Sequence, residues 1–265
     1  MTETLIDTHA HLTAKGLSEH IDDVVSRAKD SGVGAIICVG TDPQDCRAAR
    51  ELARRYDCVF AAGGIHPHEA NKYADIAELR GAIGGEKWLA IGETGLDFHY
   101  DFAARKKQRN LFEQQLTLAG ELDLPVIVHC REAVGETLAM IRAADRELRG
   151  VFHCFTGTPD EARRVVDLGW YISFGGIVTF KKSDELRRIA ADLPIDRILI
   201  ETDSPYLSPE PVRHRRPNEP AHIRYVAEAL VEVRRVAWEK LLAQLWSNTV
   251  RLFGSAIGTF SKGAI

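Results

Sequence analysis

The sequence predicts an α/β protein of the (β/α)8 TIM-barrel class, and three observations predict it. Eight short apolar, β-branched runs recur along the chain, amphipathic helical stretches alternate with them, and histidines or carboxylates close most of the runs. Runs this short, bounded by Gly or polar residues, read as strands buried on both faces. Strands alternating with helices close into a parallel barrel whose C-terminal strand ends converge on one mouth.

The first run is Thr4 to His9, and Ser18 then stands before a periodic segment as a helix N-cap. Ala35 to Val39 comes second, followed by Asp42-Pro43 as N-cap and first helical residue. Val59 to Gly63, Trp88 to Glu93, Pro125 to His129 and Gly150 to His153 continue the series, and Thr158-Pro159 opens the next helix with Glu161 in its first turn. Trp170 to Phe174 and Arg197 to Thr202 complete it; after Pro220 the chain reads as helix to about Phe253, a tail that packs on the barrel. No second composition regime, low-complexity tract or strong repeat interrupts the pattern, so one domain over residues 1–265 is expected. An open doubly wound sheet is the competing architecture, but neither G-x-G-x-x-G nor G-x-x-x-x-G-K-[ST] follows any run.

Composition narrows the function. With 45% apolar and 27% charged residues the chain can bury a large core. A balance of 34 basic against 38 acidic side chains argues against coating duplex DNA by bulk charge, so nucleic-acid contact must be local. The five cysteines form no Cys-x-x-Cys, and MTETLIDTHAHL has no basic region leading into an apolar stretch; both point to a reducing, cytoplasmic setting. The longest apolar run, near Gly34 to Gly40, is far short of the ~20 residues that span a bilayer.

Ligand-type residues gather at the strand ends. They are His9 and His11 after the first strand, His66 and His68 after the third, Glu93 on the fourth, His129 and His153 on the fifth and sixth, and Glu201 to Asp203 on the last. The period of two along an extended segment turns His9 and His11 to one side. Ten histidines produce about 0.4 H-x-H pairs by chance, so it is the joint occurrence at strand ends that points to metal. Four imidazoles and two carboxylates exceed what one tetrahedral ion needs, which suggests two cations bridged by Glu93 and a water. Asp203 then serves as ligand and general base. No Lys stands at a strand end for Schiff-base chemistry and no G-x-S-x-G is present. Cys130 and Cys154, next to ligands, are expected to point the opposite way, into the core.

The motifs LIDTHAHL, GIHPH, IGETGLDFHY, PVIVHCREA, HCFTG and IETDSPYLSP, in this order from Leu5 to about Phe253, closely resemble the TatD-type deoxyribonuclease family of metal-dependent hydrolases. The resemblance implies a barrel with a binuclear site and a nuclease, usually assayed with magnesium, that removes nucleotides from DNA ends. By motif position it implies His9, His11, Glu93 and Asp203 for one ion, and Glu93, His129 and His153 for the other. It also puts His66 near the scissile phosphate. Thr13, Gly135 and the segment Arg213 to Pro220, which lacks a usual Gly, depart from the family pattern.

The arginines at 213, 215 and 216 are candidates for phosphate at the mouth, whereas Arg105 to Arg109 reads as a solvated helix face. Phe98, His99 and Tyr100 could stack on an unpaired base. The leading expectation is phosphodiester hydrolysis at single-stranded DNA ends by two-metal-activated water, in strand repair or turnover. Mg2+ would support activity, while imidazoles also suit Zn2+ or Mn2+. The alternative is a metal-dependent ester or amide hydrolase such as a D-aminoacyl-tRNA deacylase; a non-catalytic protein with a structural metal fits the excess of ligands poorly. DNA is the expected partner, with no membrane contact, and a monomer is the expected state.

Overall fold

The computed structural model describes residues 4–84, 88–144 and 146–257, so the two extremes of the expected domain, including the start of the MTETLIDTHAHL segment, lie outside the described residues. Eight parallel strands pair in chain order: β1 Leu5–Ala10, β2 Val33–Gly40, β3 Val59–Gly63, β4 Trp88–Asp97, β5 Val126–Arg131, β6 Gly150–Phe152, β7 Tyr171–Phe174 and β8 Ile198–Ile200. The ring closes beyond the end of β8. There Ala10 bridges Ser204, the His11 amide donates to the Ser204 carbonyl (2.7 Å) and the Asp203 amide donates to the His9 carbonyl (3.0 Å). Helices α1 Ile21–Asp30, α2 Pro43–Arg55, α3 Ala77–Ile83, α4 Arg105–Leu122, α5 Val134–Ala143, α6 Pro159–Asp167 and α7 Asp184–Asp192 connect successive strands, and α8 Ile223–Arg234 and α9 Trp238–Phe253 follow β8. This is the barrel that the eight apolar runs predict.

Two apolar layers explain why those runs are unbroken. On β2, Ala35, Ile37 and Val39 face the barrel interior, where they meet Ile6, Ala62, Ile127, Val151 and Leu199. The intervening Ile36 and Cys38 face outward, into a layer that includes Val24, Leu79, Phe112, Leu138, Val165 and Val226 of the surrounding helices. Both faces are therefore dry, and alternation is erased. Leu252, Phe253 and Ile257 join the interior cluster and plug its lower end, the role of the C-terminal tail. A side chain as deeply buried as Phe112 stabilises the shell by about 2–3 kcal/mol.

The helix starts are local chemistry. Asp42 accepts from the amides of Gln44 (2.9 Å) and Asp45 (2.8 Å), and Thr158 and Glu161 cap one another reciprocally at the start of α6. Ser18 does not cap α1. It begins a short 3-10 turn, its hydroxyl is directed at the Glu19 carboxylate (3.4 Å), and α1 starts only at Ile21.

β4 runs four residues beyond the expected Glu93. Its register against β5 shifts between Ile91 and Thr94, and Gly92 and Gly95 adopt φ of +150° and +139°. Gly95 lies so close to β5 that a Cβ there would sit 2.0 Å from the His129 carbonyl oxygen. Only glycine allows this approach, and it carries the strand on to Asp97 at the mouth. Among the described residues no helix is long and apolar enough to cross a membrane.

Candidate metal centre

All the strand-end residues singled out in the sequence meet at the mouth around Glu93, which comes from the centre of the extended β4. The Nε2 atoms of His9 and His11 are 3.2 Å apart and lie 3.4 and 3.5 Å from Glu93 Oε2. Asp203 Oδ1 completes this group at 3.9 Å from His9 and 3.5 Å from His11. The other carboxylate oxygen, Glu93 Oε1, faces a different set: His153 Nε2 at 2.7 Å, His129 Nδ1 at 2.8 Å and His66 Nε2 at 3.3 Å. The rings of His9 and His153 stack at 4.0 Å and 10° between the two sets.

The first set has the dimensions of a ligand shell. Four donors held 2.0–2.1 Å from a tetrahedral ion stand about 3.3 Å from one another, and His9 and His11 lie 3.2 Å from each other and 3.4 to 3.9 Å from the carboxylate oxygens of Glu93 and Asp203. Imidazole nitrogen and carboxylate oxygen are also the donors that zinc, manganese and related ions take. In the second set the imidazoles rest directly on Oε1 at hydrogen-bond distance.

The electrostatics express a demand for positive charge. Burial pushes the Glu93 carboxyl up, yet the charges of His153, His66 and His9 and the hydrogen bond from His129 hold it well below the usual carboxylate range. Burial opposes charge on His11 too, but the Asp203 hydrogen bond and the charges of Glu93 and Asp203 raise it to about 9. His153 is driven well up, against burial, by Glu93 and Glu201. His66 goes the other way, to about 4, because burial dominates there. Protons on His11 and His153 thus offset the buried carboxylates, a task a divalent cation performs more fully.

His11, His129 and His153 have polar groups behind them, and of these groups the Asp97 carboxylate is the one the sequence reading passes over. His11 Nδ1 donates to the Val39 carbonyl (3.1 Å), so Nε2, which faces the cluster, is the nitrogen that would give up its proton to take a cation. His129 Nε2 donates to Asp97 Oδ2 (2.9 Å), which leaves Nδ1 for Glu93's side. Glu201, fully buried, faces His153 Nδ1 at 3.3 Å and accepts from the Cys154 amide at 2.6 Å. Asp97 is also fully buried; it accepts from His68 Nε2 (2.8 Å) and from the amides of His99 and Tyr100 (3.0 Å each). Despite burial, these bonds hold its carboxyl far below the usual range. The signal for Asp97 was present: it stands four residues after Glu93, an even offset that puts both carboxylates on one side of a strand.

The cluster forms the floor of an open cavity of about 740 Å3, within the range of ligand sites. Cys130 packs against the core with its Sγ 3.4 Å from the Thr137 hydroxyl of α5, as expected, whereas Cys154, at φ +43° beyond the end of β6, lines the cavity as a half-buried free thiol, which corrects its expected place in the core. The segment from Arg213 to Arg216 is exposed and contributes nothing to the lining; Arg213 instead lies over the Phe180 ring at 3.4 Å. Arg131 is the one arginine or lysine among the described lining residues. Arg105 to Arg109 is a surface face, as expected, apart from the buried Gln108. Of the aromatic candidates, Phe98 is covered by the guanidinium groups of Arg105 and Arg109, at 4.4 and 5.4 Å, and His99 pairs with Glu132. Tyr100 does face the cavity, together with Phe102, which the sequence reading missed.

Known proteins share this chain's sequence and fold. Residues 6–254 match the family described as TatD related DNase. The chain is 39% identical over 253 residues to the uncharacterized metal-dependent hydrolase YcfH of Escherichia coli (strain K12), covering 94% of this chain and 95% of that protein. It is 36% identical to the 3′-5′ ssDNA/RNA exonuclease TatD of Citrobacter koseri, over 95% of this chain and 100% of that one. Among solved structures, the TatD homologue YJJV of Escherichia coli K12 superposes with a TM-score of 0.89 at 32% identity, covering 96% of this chain and 99% of the other.

Proposed function

Because the chain belongs to the TatD-related DNase family of metal-dependent hydrolases, we propose that it is a divalent-metal-dependent nuclease that cleaves phosphodiester bonds at single-stranded DNA ends. The observation that carries this reading is the division of Glu93, whose two oxygens face two separate imidazole groups as a bridging carboxylate would. His9, His11, Glu93 and Asp203 would hold one ion, and Glu93, His129 and His153 the other. Bound there, the pair would lower the pKa of an attacking water and offset charge on the phosphate.

The chain's own side chains do the rest. Asp203, held ionised by the His11 hydrogen bond and the neighbouring imidazole charges against the pull of burial, receives the proton of the attacking water. His66 Nδ1 already accepts from the His68 amide at 3.1 Å, so its hydrogen resides on Nε2. Neutral and aimed at the centre, His66 gives a hydrogen bond from Nε2 to a phosphate oxygen and keeps its proton. Asp97 keeps His129 in one tautomer, and the Glu201 carboxylate 3.3 Å from His153 Nδ1 favours a proton on that nitrogen.

In this reading the protein is a single-domain, monomeric cytoplasmic enzyme of strand repair or turnover, running on Mg2+. Its five free cysteines suit a reducing compartment. End-labelled single-stranded DNA, RNA and a D-aminoacyl-tRNA, each incubated with and without Mg2+, test the proposal. Cation-dependent shortening of the DNA is expected. Release of the aminoacyl group with both nucleic acids left intact would overturn it in favour of ester hydrolysis.

A further inference from the structure

We propose that Tyr100 and Phe102 form a nucleobase platform at the rim of the metal centre, stacking on the base of a nucleotide adjoining the scissile phosphate. The inference rests on the nuclease reading and names what the site grips besides phosphate.

Four large apolar or aromatic side chains stand exposed among the described residues: Tyr100 at 42%, Phe102 at 59%, Tyr206 at 58% and Leu122 at 46%. Three of them, all but Leu122, line the one cavity that holds the metal centre. Scattered surface aromatics need no explanation, but rings left uncovered together beside a reactive centre mark a binding site.

The rings are built to stay in place. Tyr100 and Phe102 lie nearly parallel, with centroids 5.2 Å apart at 23°. His68 sets its edge against both, at 4.7 Å from Phe102 and 5.7 Å from Tyr100. His68 is itself held by Asp97. The loop that bears the rings is fixed along its length: the Tyr100 amide donates to Asp97 Oδ1, Asn71 Nδ2 donates to the Phe102 carbonyl (3.1 Å), and Gln108 Nε2 donates to the Ala103 carbonyl (2.9 Å). A surface ordered in advance gives up little entropy when it binds.

Its position and charge indicate the ligand. The carboxylate oxygen that receives His68 also receives His129, whose other nitrogen faces Glu93, so the platform is linked to Glu93 through His68, Asp97 and His129. Arg131 lies over Tyr100 at 5.0 Å, a cation where the anionic backbone of a stacked nucleotide would run. Aromatic faces accept any base, and a base locked in a duplex has no free face to give. The platform therefore selects single-stranded ends without reading sequence.

The test compares kcat/KM on single-stranded oligonucleotides that are intact or carry an abasic residue at the terminal or penultimate position, at each end in turn. Stacking of one base predicts an intact-to-abasic ratio of about 5 to 150 for the wild type at one position. The ratio should collapse toward one in Phe102→Ala, persist in Phe102→Trp and be untouched in Leu122→Ala, whose exposed side chain lies outside the cavity. A wild-type ratio near one at every position, or a wild-type-like ratio in Phe102→Ala, would overturn the platform while leaving the nuclease reading intact. Failure of the wild type to cut any oligonucleotide would instead remove the nuclease reading, and the platform with it.

Discussion

Replacing Asp97 with Asn changes one atom, and the structure fixes what that atom meets. Oδ1 accepts from the His99 and Tyr100 amides, and Oδ2 accepts from His68 and His129. An asparagine that keeps its oxygen toward the two amides turns its NH2 group against two imidazole N–H groups; turned around, it sets the NH2 against the amides. In the first arrangement both imidazoles lose their acceptor and His129 is free to exchange its tautomer; in the second the two loop amides lose theirs while His129 keeps an oxygen to donate to. Loss of a carboxylate behind a metal-binding histidine costs about 10- to 100-fold in affinity, or roughly 1.4–2.7 kcal/mol. Because Asp97 accepts from His68 and His129 and not from His9 or His11, the two-ion site proposed above predicts that one cation weakens by this factor while the other binds almost as before. Calorimetric titration with Mn2+ and with Zn2+ reads both. An Asp97→Asn protein that melts like the wild type and binds both ions undiminished would refute the reasoning.

Other perturbations probe the rest of the argument. Asp203→Asn should lower kcat by about 10²- to 10⁴-fold, the usual worth of a positioned base, with little change in melting temperature. Gly95→Ala forces a Cβ against the His129 carbonyl at a φ that disfavours side chains, so a loss of about 3 kcal/mol or more is expected by denaturant titration. His222 is buried and its Nδ1 pairs with Asn218 Oδ1; burial, aided by the charges of Arg215 and Arg27 against that of Glu219, lowers its pKa. The unfolded chain therefore takes up this proton first as pH falls below 6.5. Stability from this group is complete above that value and lost on the way down to the folded-state pKa, so His222→Gln should flatten the fall in urea midpoint between pH 7 and 5. Exhaustive chelation should abolish DNA shortening, and Mg2+ or Mn2+ should restore it; activity that survives chelation would contradict the proposed mechanism.

The barrel and the residues around Glu93 were readable because both follow from periodicity. Dry strands read as solid apolar runs, and a polar residue at the end of such a run has only the mouth to go to. The orienting residues were harder. Asp97 lies beyond the point where an apolar run stops, on a stretch of β4 that exists only because Gly92 and Gly95 let the strand shift register. Glu201 stands in the listing of strand eight's polar exit, but its task, holding His153, depends on a residue 48 positions away in sequence. Charge was the least informative signal: Arg213 to Arg216 looked suited to phosphate, yet a run of arginines carries no direction, and the fold turns it outward. Phe102 sits in a loop with no pattern at all, so only coordinates reveal that its ring is left uncovered.

The seam of the barrel coincides with the reactive centre. Ala10 and Ser204, His11 and Ser204, and Asp203 and His9 are joined across it, while Asp7 accepts from both the amide and the hydroxyl of Thr202. A chain still emerging from the ribosome owns its first pair of histidines long before the acid that faces them has been synthesised. If these three residues hold a cation as proposed, its capture in full strength waits for the last strand to arrive, and loading with metal would certify that folding is complete.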